Sequence, residues 1–209
     1  MTEQEQLDEI KKYFQDRLDT YGTSPRGADW NSSEAQNIRF AQLARVIVPA
    51  SHFTVLDFGC GYGAFADFLL EQKMFFTHFY GFDILDTAIK SAVETHPQTG
   101  LYSFSADWTQ IPEVDYSVAS GVFNIRLDTP YDQWTMYVLE CLGQMDQKSR
   151  KGFASNFLTK YSDPEKMASR LYYADPCMLF DYCKKNFSRN VAILHDYGLY
   201  DFTIIVRKF

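Results

Sequence analysis

Residues Val55-Leu56-Asp57-Phe58-Gly59-Cys60-Gly61-Tyr62-Gly63 constrain this chain more than any other stretch. Val55 to Phe58 is a short apolar run of the kind a parallel sheet buries on both faces, with a carboxylate near its end. Glycines at alternate positions follow. A helical pattern comes next, with Phe65, Phe68, Leu69 and Gln72 at i, i+3, i+4 and i+7. Glycine lets the main chain take positive φ and approach a ligand closely. In open α/β sheets, ligands bind beyond the carboxyl ends of the strands, where the strand order reverses. A strand, glycine turn and helix in this order point to a nucleotide-type cofactor site.

Read literally, Gly59-x-Gly61-x-x-Ala64 also satisfies the dinucleotide fingerprint, which keeps an NAD(P)-dependent oxidoreductase as an alternative. Asp57 argues for another ligand, because a carboxylate there attracts an ammonium group and repels a pyrophosphate. With Gly63 the pattern becomes Asp-x-Gly-x-Gly-x-Gly, which resembles motif I of the class I S-adenosylmethionine-dependent methyltransferases. The resemblance implies that Asp57, Gly59, Gly61 and Tyr62 surround the methionine part of S-adenosylmethionine. The alternative without a ligand is a glycine turn that serves packing alone.

The resemblance extends over roughly residues 50 to 209. His78 to Asp83 reads as a second strand ending in a carboxylate, about 20 residues after the turn, where a ribose diol is held. Ile84 follows it. Leu85 to His96 has helical spacing, with Leu85, Ala88, Ile89, Ala92 and Val93 on one face. Leu101 to Ala106 is a third strand candidate. The resemblance implies that Ala106, Asp107 and Trp108 meet the adenine, whereas a plain helix cap is the other reading of Asp107. Asp115 to Asn124 resembles the family's fourth strand and its loop, and the resemblance implies that Gly121 and Val122 lie beside the methionine end.

Tyr131 to Met145 is helical by period, Gly152 to Leu158 reads as a fifth strand, and Pro176 to Phe187 as a helix with proline in its first turn. Val191 to His195 and Phe202 to Val206 are separated by too few residues for a crossover helix, so they form a hairpin whose last strand is antiparallel. The expected architecture is a three-layer αβα sandwich. Its seven-stranded, mostly parallel sheet ends in an antiparallel C-terminal hairpin strand, as in the Rossmann-like methyltransferase fold.

The first 50 residues are expected to form an N-terminal helical cap on a core of residues 51–209. Leu7, Ile10, Phe14 and Leu18 make one apolar helical stripe. A second helix starts near Asn31, where Asn31-x-x-Glu34 reads as a capping box. Its stripe of Phe40, Leu43, Ala44 and Ile47 lies near Gln36 and Arg39. A guanidinium there needs a partner. Either it pairs with a carboxylate of the cofactor or acceptor, or it makes a structural pair with Asp57, Asp29 or a surface Glu, or it snorkels.

The net charge of −7, without a dense Lys/Arg run, disfavours nucleic acid as a partner. Four cysteines without a Cys-x-x-Cys pair give no structural zinc signature, and no metal is expected. The polar, acidic N-terminus and the lack of a long apolar run make a cytoplasmic protein without a membrane partner the expectation. Methyl transfer needs a general base only where the acceptor carries a proton at the attacking atom. His195 is the candidate base, with Asn124 as a second catalytic candidate. Trp30, Arg126, Tyr172 and Tyr173 are candidates for the acceptor side, and Tyr161 to Ala174 is a candidate lid. The expected reaction moves a methyl group to an O or N atom of a small molecule. A cofactor-binding protein without transfer activity remains an alternative, and the oligomeric state is unknown.

Overall fold

The structure, a computed structural model, describes residues 3–22, 24, 32–48, 52–97 and 100–208. Two helices lead: α1 (Glu3–Tyr21) and α2 (Ser33–Ala44). The core then alternates β1 (Thr54–Phe58), α3 (Ala64–Glu71), β2 (His78–Phe82), α4 (Asp86–Thr95), β3 (Tyr102–Ser105) and β4 (Val114–Ala119). It continues through α5 (Tyr131–Lys148), β5 (Ser149–Thr159), β6 (Tyr173–Ala174), α6 (Pro176–Asn186), β7 (Asn190–Leu194) and β8 (Asp201–Arg207). The strands lie in the order β3-β2-β1-β4-β5-β8-β7, and β6 pairs with β5 off that path. All pairings are parallel except those of β8 with β5 and β7. The seven expected strands are therefore present, and the C-terminal hairpin is antiparallel as its short connection requires.

Side-chain alternation divides the strands between two layers. Val55, Phe79 and Val118 pack under α2 and α3 with Phe40, Leu43, Phe65 and Leu69. Leu56, Phe153, Phe157 and Phe202 pack on the opposite face with Trp134, Leu142, Leu179 and Cys183 of α5 and α6. Trp134 anchors that second layer, burying its ring and donating from Nε1 to Phe123 O at 2.8 Å.

Several boundaries differ from the sequence expectation for local reasons. Ser32, not Asn31, caps α2, its hydroxyl accepting from Ala35 N at 3.1 Å. Asn31 itself lies outside the described residues, as does Trp30. α5 runs on to Lys148 and passes directly into β5, whose 11 residues pair with β4, β8 and β6. In α4 the buried stripe narrows to Ala88 and Ala92, leaving Val93 exposed. The segment expected as a lid contributes β6, which fastens its end to β5 through Leu158↔Tyr173 and Thr159↔Ala174. Asp175 caps α6 through Cys177 N and Met178 N, ahead of Pro176 in the first turn. Among the described residues no helix is long and apolar enough to cross a membrane.

Gly152 tests how tightly β5 and β8 are joined. A Cβ at this position would stand 2.3 Å from Val206 O, a main-chain atom that no side-chain rotation can clear. Gly152→Ala should cost about 2–3 kcal/mol, near the upper end of overpacking penalties, read as a lowered denaturant midpoint. An unchanged midpoint would show that the β5–β8 ladder yields without loss.

Candidate functional site

The strand order reverses between β1 and β4, and the main cleft lies beyond their carboxyl ends. Gly59, Gly61 and Gly63 all have positive φ, at 78°, 54° and 90°, which curls the chain from β1 into α3. This turn is stitched to the end of β2. Gly59 N and Cys60 N both donate to Phe82 O, at 2.7 and 2.9 Å. Gly61 N donates to Asp83 Oδ2 at 2.9 Å, and Leu85 N to Asp83 Oδ1 at 3.0 Å. A Cβ on Gly59 would stand 2.4 Å from the Val122 side chain, whereas one on Gly61 would meet nothing within 4 Å. Gly61 thus presents bare main chain to open space in the cleft wall.

Two carboxylates share this apolar setting. Asp57 is 3% exposed, and its Oδ1 is buried without a hydrogen-bond partner. Burial, reinforced by the like charge of Asp83, pushes its pKa up to about 8. Burial also raises Asp83, opposed by the amides of Leu85, Gly61 and Ile84. Ser120 Oγ, at the cleft floor, is likewise buried without a partner. Tyr62, also in the wall, shares a hydrogen bond with the side chain of Gln36 on α2.

Of the expected cofactor residues, Asp57, Gly59, Gly61, Tyr62, Asp83, Ile84, Gly121 and Val122 all line the cleft. Gly121 is held there by Asn156, whose Oδ1 accepts from Gly121 N at 2.7 Å. Ala106, Asp107 and Trp108 are not among the lining residues. Asp107 caps the short turn of Trp108 to Gln110, accepting from Thr109 N and Oγ1 at 2.9 and 2.7 Å, contacts that lower its pKa. Trp108 packs edge-on to Phe58 and Phe82.

Arg39 also stands apart from the cleft lining. It grips Asp201 through Nε to Oδ1 at 3.1 Å and Nη2 to Oδ2 at 2.5 Å, and Nη1 donates to Ala35 O at 3.0 Å. It is thus a structural pair, and its partner is Asp201 at the start of β8 rather than Asp57, Asp29 or a surface Glu. Asn124 accepts from Leu158 N at 3.2 Å, tying the loop after β4 to β5. Arg126 donates to Leu171 O at 3.2 Å, Thr129 O at 2.6 Å and Ser169 O, which fastens the segment ahead of β6. Tyr172 is fully buried against that face, with its hydroxyl 3.0 Å from Thr135 Oγ1. Tyr173 takes Ala168 N on its hydroxyl at 3.0 Å. His195 follows β7 at the far edge of the sheet, exposed, with its ring between Tyr161 and Phe202.

The rest of the cleft comes from helices. α1 contributes Ile10, Phe14 and Leu18, α2 contributes Gln36 and Phe40, and α5 contributes Trp134 and Tyr137. Sequence periodicity marks these positions as apolar faces without marking what they face. The stripe of α1 was the available signal, since a helix ahead of the first strand must lay its apolar side on something already formed.

No protein-family model matches the chain. It is 44% identical over 164 residues to "Putative methyltransferase Rv1506c" from Mycobacterium tuberculosis (strain ATCC 25618 / H37Rv), an alignment covering 78% of this chain and 98% of that relative. Among solved structures it resembles the N-methyltransferase NodS of Bradyrhizobium japonicum WM9 in complex with S-adenosyl-L-homocysteine. That match has a TM-score of 0.65 and 15% identity, and covers 94% of this chain and 97% of that one. It also resembles the magnesium protoporphyrin IX methyltransferase of Synechocystis PCC 6803, with a TM-score of 0.61, 16% identity, and coverage of 97% and 99%.

The raised pKa of Asp57 has a sign that melting experiments can read. The folded chain keeps a proton up to about pH 8 that an unfolded carboxyl of pKa 3.8 has already released. This group therefore favours the fold fully below the unfolded value and costs stability progressively as pH rises towards about 8. Asp57→Asn should melt higher than wild type at about pH 8, and the gap should narrow by about pH 5. A gap independent of pH would mean that Asp57 is ionised in the ligand-free protein.

Proposed function

Because the chain belongs to the class I S-adenosylmethionine-dependent methyltransferase family, we propose that it transfers the methyl group of S-adenosylmethionine to an oxygen or nitrogen of a small-molecule acceptor. The observation that carries this reading is the bare Gly61 main chain opening between Asp57 and Asp83. The buried, unpartnered Asp57 Oδ1 suits the ammonium of the methionine moiety. Asp83 keeps a lone pair beyond the amides of Gly61, Leu85 and Ile84, and this suits a ribose diol. A pyrophosphate in the same place would meet two acidic groups and, among the described lining residues, no cationic side chain, which weighs against a dinucleotide.

When bound, S-adenosylmethionine would supply an electrophilic methyl group to the lone pair of an acceptor oxygen or nitrogen. The chain's own contribution is position and exclusion of water. The stitched turn fixes main-chain geometry at one side, Gly121 is pinned by Asn156 at the other, and α1 and α2 roof the space between. In this reading residues 1–50 act as the cap and residues 51–209 as the cofactor-binding core. Asp107 caps through Oδ1, and its Oδ2, which accepts from Gln110 Nε2 at 3.2 Å, keeps a lone pair that would suit the adenine amino group, with Trp108 beside it. Asn124 ties the loop after β4 to β5 and His195 stands exposed at the outer edge of the sheet, so this reading assigns no general base.

Calorimetry with S-adenosylmethionine, followed by an assay for S-adenosylhomocysteine, tests the reading. Binding should release a proton near pH 7, because an ammonium beside Asp57 pulls its pKa back down from about 8. The release appears as a heat that scales with the ionisation enthalpy of the buffer. Gly61→Val should keep the fold, at about 1–2 kcal/mol for the left-handed backbone, yet lose cofactor binding by at least about tenfold, since the added side chain fills the ligand's space. Undiminished binding by a folded Gly61→Val variant would remove the ligand from this turn.

A further inference from the structure

The strand ends set an order along the cleft. Asp83 follows β2, Asp57 stands on β1, and Gly121 and Val122 follow β4. β2, β1 and β4 are successive neighbours, and Trp134 of α5 is tied to Phe123 just past β4. The aromatic pair Trp134 and Tyr137, with centroids 5.0 Å apart at 41°, therefore stands at the end of the cleft opposite Asp83. α1 spans the roof from one end to the other. Near its start Gln6 accepts from Gln133 Nε2 on α5 at 3.4 Å, and further along Gln15 accepts from Thr87 Oγ1 on α4 at 2.6 Å. Ile10 and Phe14 line the cleft between these two ties.

Resting on the methyltransferase reading, we infer that the α5 end of the cleft is the acceptor subsite, and that it takes an uncharged, largely apolar ring compound carrying the nucleophilic oxygen or nitrogen and excludes anions. The cofactor's polar ends are accounted for between Asp83 and Gly121, so the space beyond Val122 remains for the acceptor. Its walls are Ile10, Phe14, Val122, Trp134 and Tyr137, flat or branched apolar surfaces suited to a ring. Among the described residues the cleft lining holds no Lys, Arg or His, and its acidic side chains are Asp83 and Asp57, the latter protonated until the cofactor's ammonium faces it.

The basic residues expected on the acceptor side are engaged elsewhere, Arg39 with Asp201 and Arg126 with main-chain carbonyls. Among the described lining residues an anionic acceptor would lose its hydration, gain no cationic side chain and face the Asp83 carboxylate. A protonated amine has no lone pair to attack with, so an amine acceptor also reacts in its neutral form.

The test uses the full chain and one ring in two charge states. S-adenosylhomocysteine is titrated first and left saturating, which occupies the cofactor's own space and measures the cofactor reading separately. Naphthol and naphthoate are then titrated by calorimetry near pH 7. Naphthol should bind, with naphthoate at least about tenfold weaker. Tyr137→Ala and Phe14→Ala should each weaken naphthol by about tenfold, the scale of a lost apolar contact in a pocket. Phe14→Lys should reverse the preference by supplying the missing cation.

Equal binding of naphthol and naphthoate would overturn the inference. So would no naphthol binding at all, or naphthol binding indifferent to folded Tyr137→Ala and Phe14→Ala. Should S-adenosylhomocysteine itself fail to bind, the cofactor reading fails, and the same titrations on the ligand-free protein still decide whether the wall takes a neutral ring.

Discussion

Asp57 and Asp83 lie in a cleft that offers them little water, where burial first and the like charge of Asp83 second oppose ionising Asp57, and much of the site's design answers that constraint. Asp83 is steadied by amides from both flanking turns, Gly61 from one side and Leu85 from the other. Asp57 has no such help for Oδ1 and keeps its proton instead. A pair held this way is unsatisfied until a cation arrives, so the energetic cost of burying the acids becomes affinity for a positively charged ligand. The same pair makes the cleft hostile to anions. One electrostatic fact thus bears on the donor molecule and on the acceptor.

The repulsion has an effect only if the acids stay close, and main-chain bonds ensure that they do. Phe82 O takes two amides from the glycine turn, which joins the end of β2 to the end of β1 more firmly than strand pairing alone. Farther along, Asn156 on β5 reaches over to hold Gly121. The Arg39–Asp201 pair acts at a larger scale, binding α2 to β8, with Asp201 fully covered and the guanidinium nearly so. Removing either partner would leave a buried charge alone, a loss of about 3–5 kcal/mol. The roof over the cleft is therefore anchored through a strand that the cleft itself does not touch.

How much of this was legible in the sequence follows from the range of the interaction concerned. The strands and their parallel sense were readable because alternation and connection length are local. The glycine turn and the acids beside it were readable because the residues that build one wall lie within one βαβ unit. Arg39 visibly needed a carboxylate, yet Asp201 lies 162 positions away and no local pattern selects it. His195 ends a strand on the expected side of the sheet, but the strand order sets β7 at the outer edge, and order is not written in spacing. Arg126 and Asn124 follow β4 and Tyr172 precedes β6, in loops where functional residues collect, and here they fasten the loops that carry them.

The division between strand ends and helices has a physical basis. A cofactor common to a family is met by main-chain atoms and short acids at strand ends, whose geometry the sheet enforces whatever side chains lie elsewhere. The remaining walls come from α1, α2 and α5, where an exchange of one apolar side chain for another reshapes the space without disturbing a single main-chain bond of the turn. Trp134 bridges the two regimes. Its ring is core for the α5 layer and wall for the cleft, and its Nε1 ties both to the loop after β4. Selectivity for an acceptor and cohesion of the fold therefore meet in one buried indole, so a change that widens the acceptor end there also loosens the layer that supports β4.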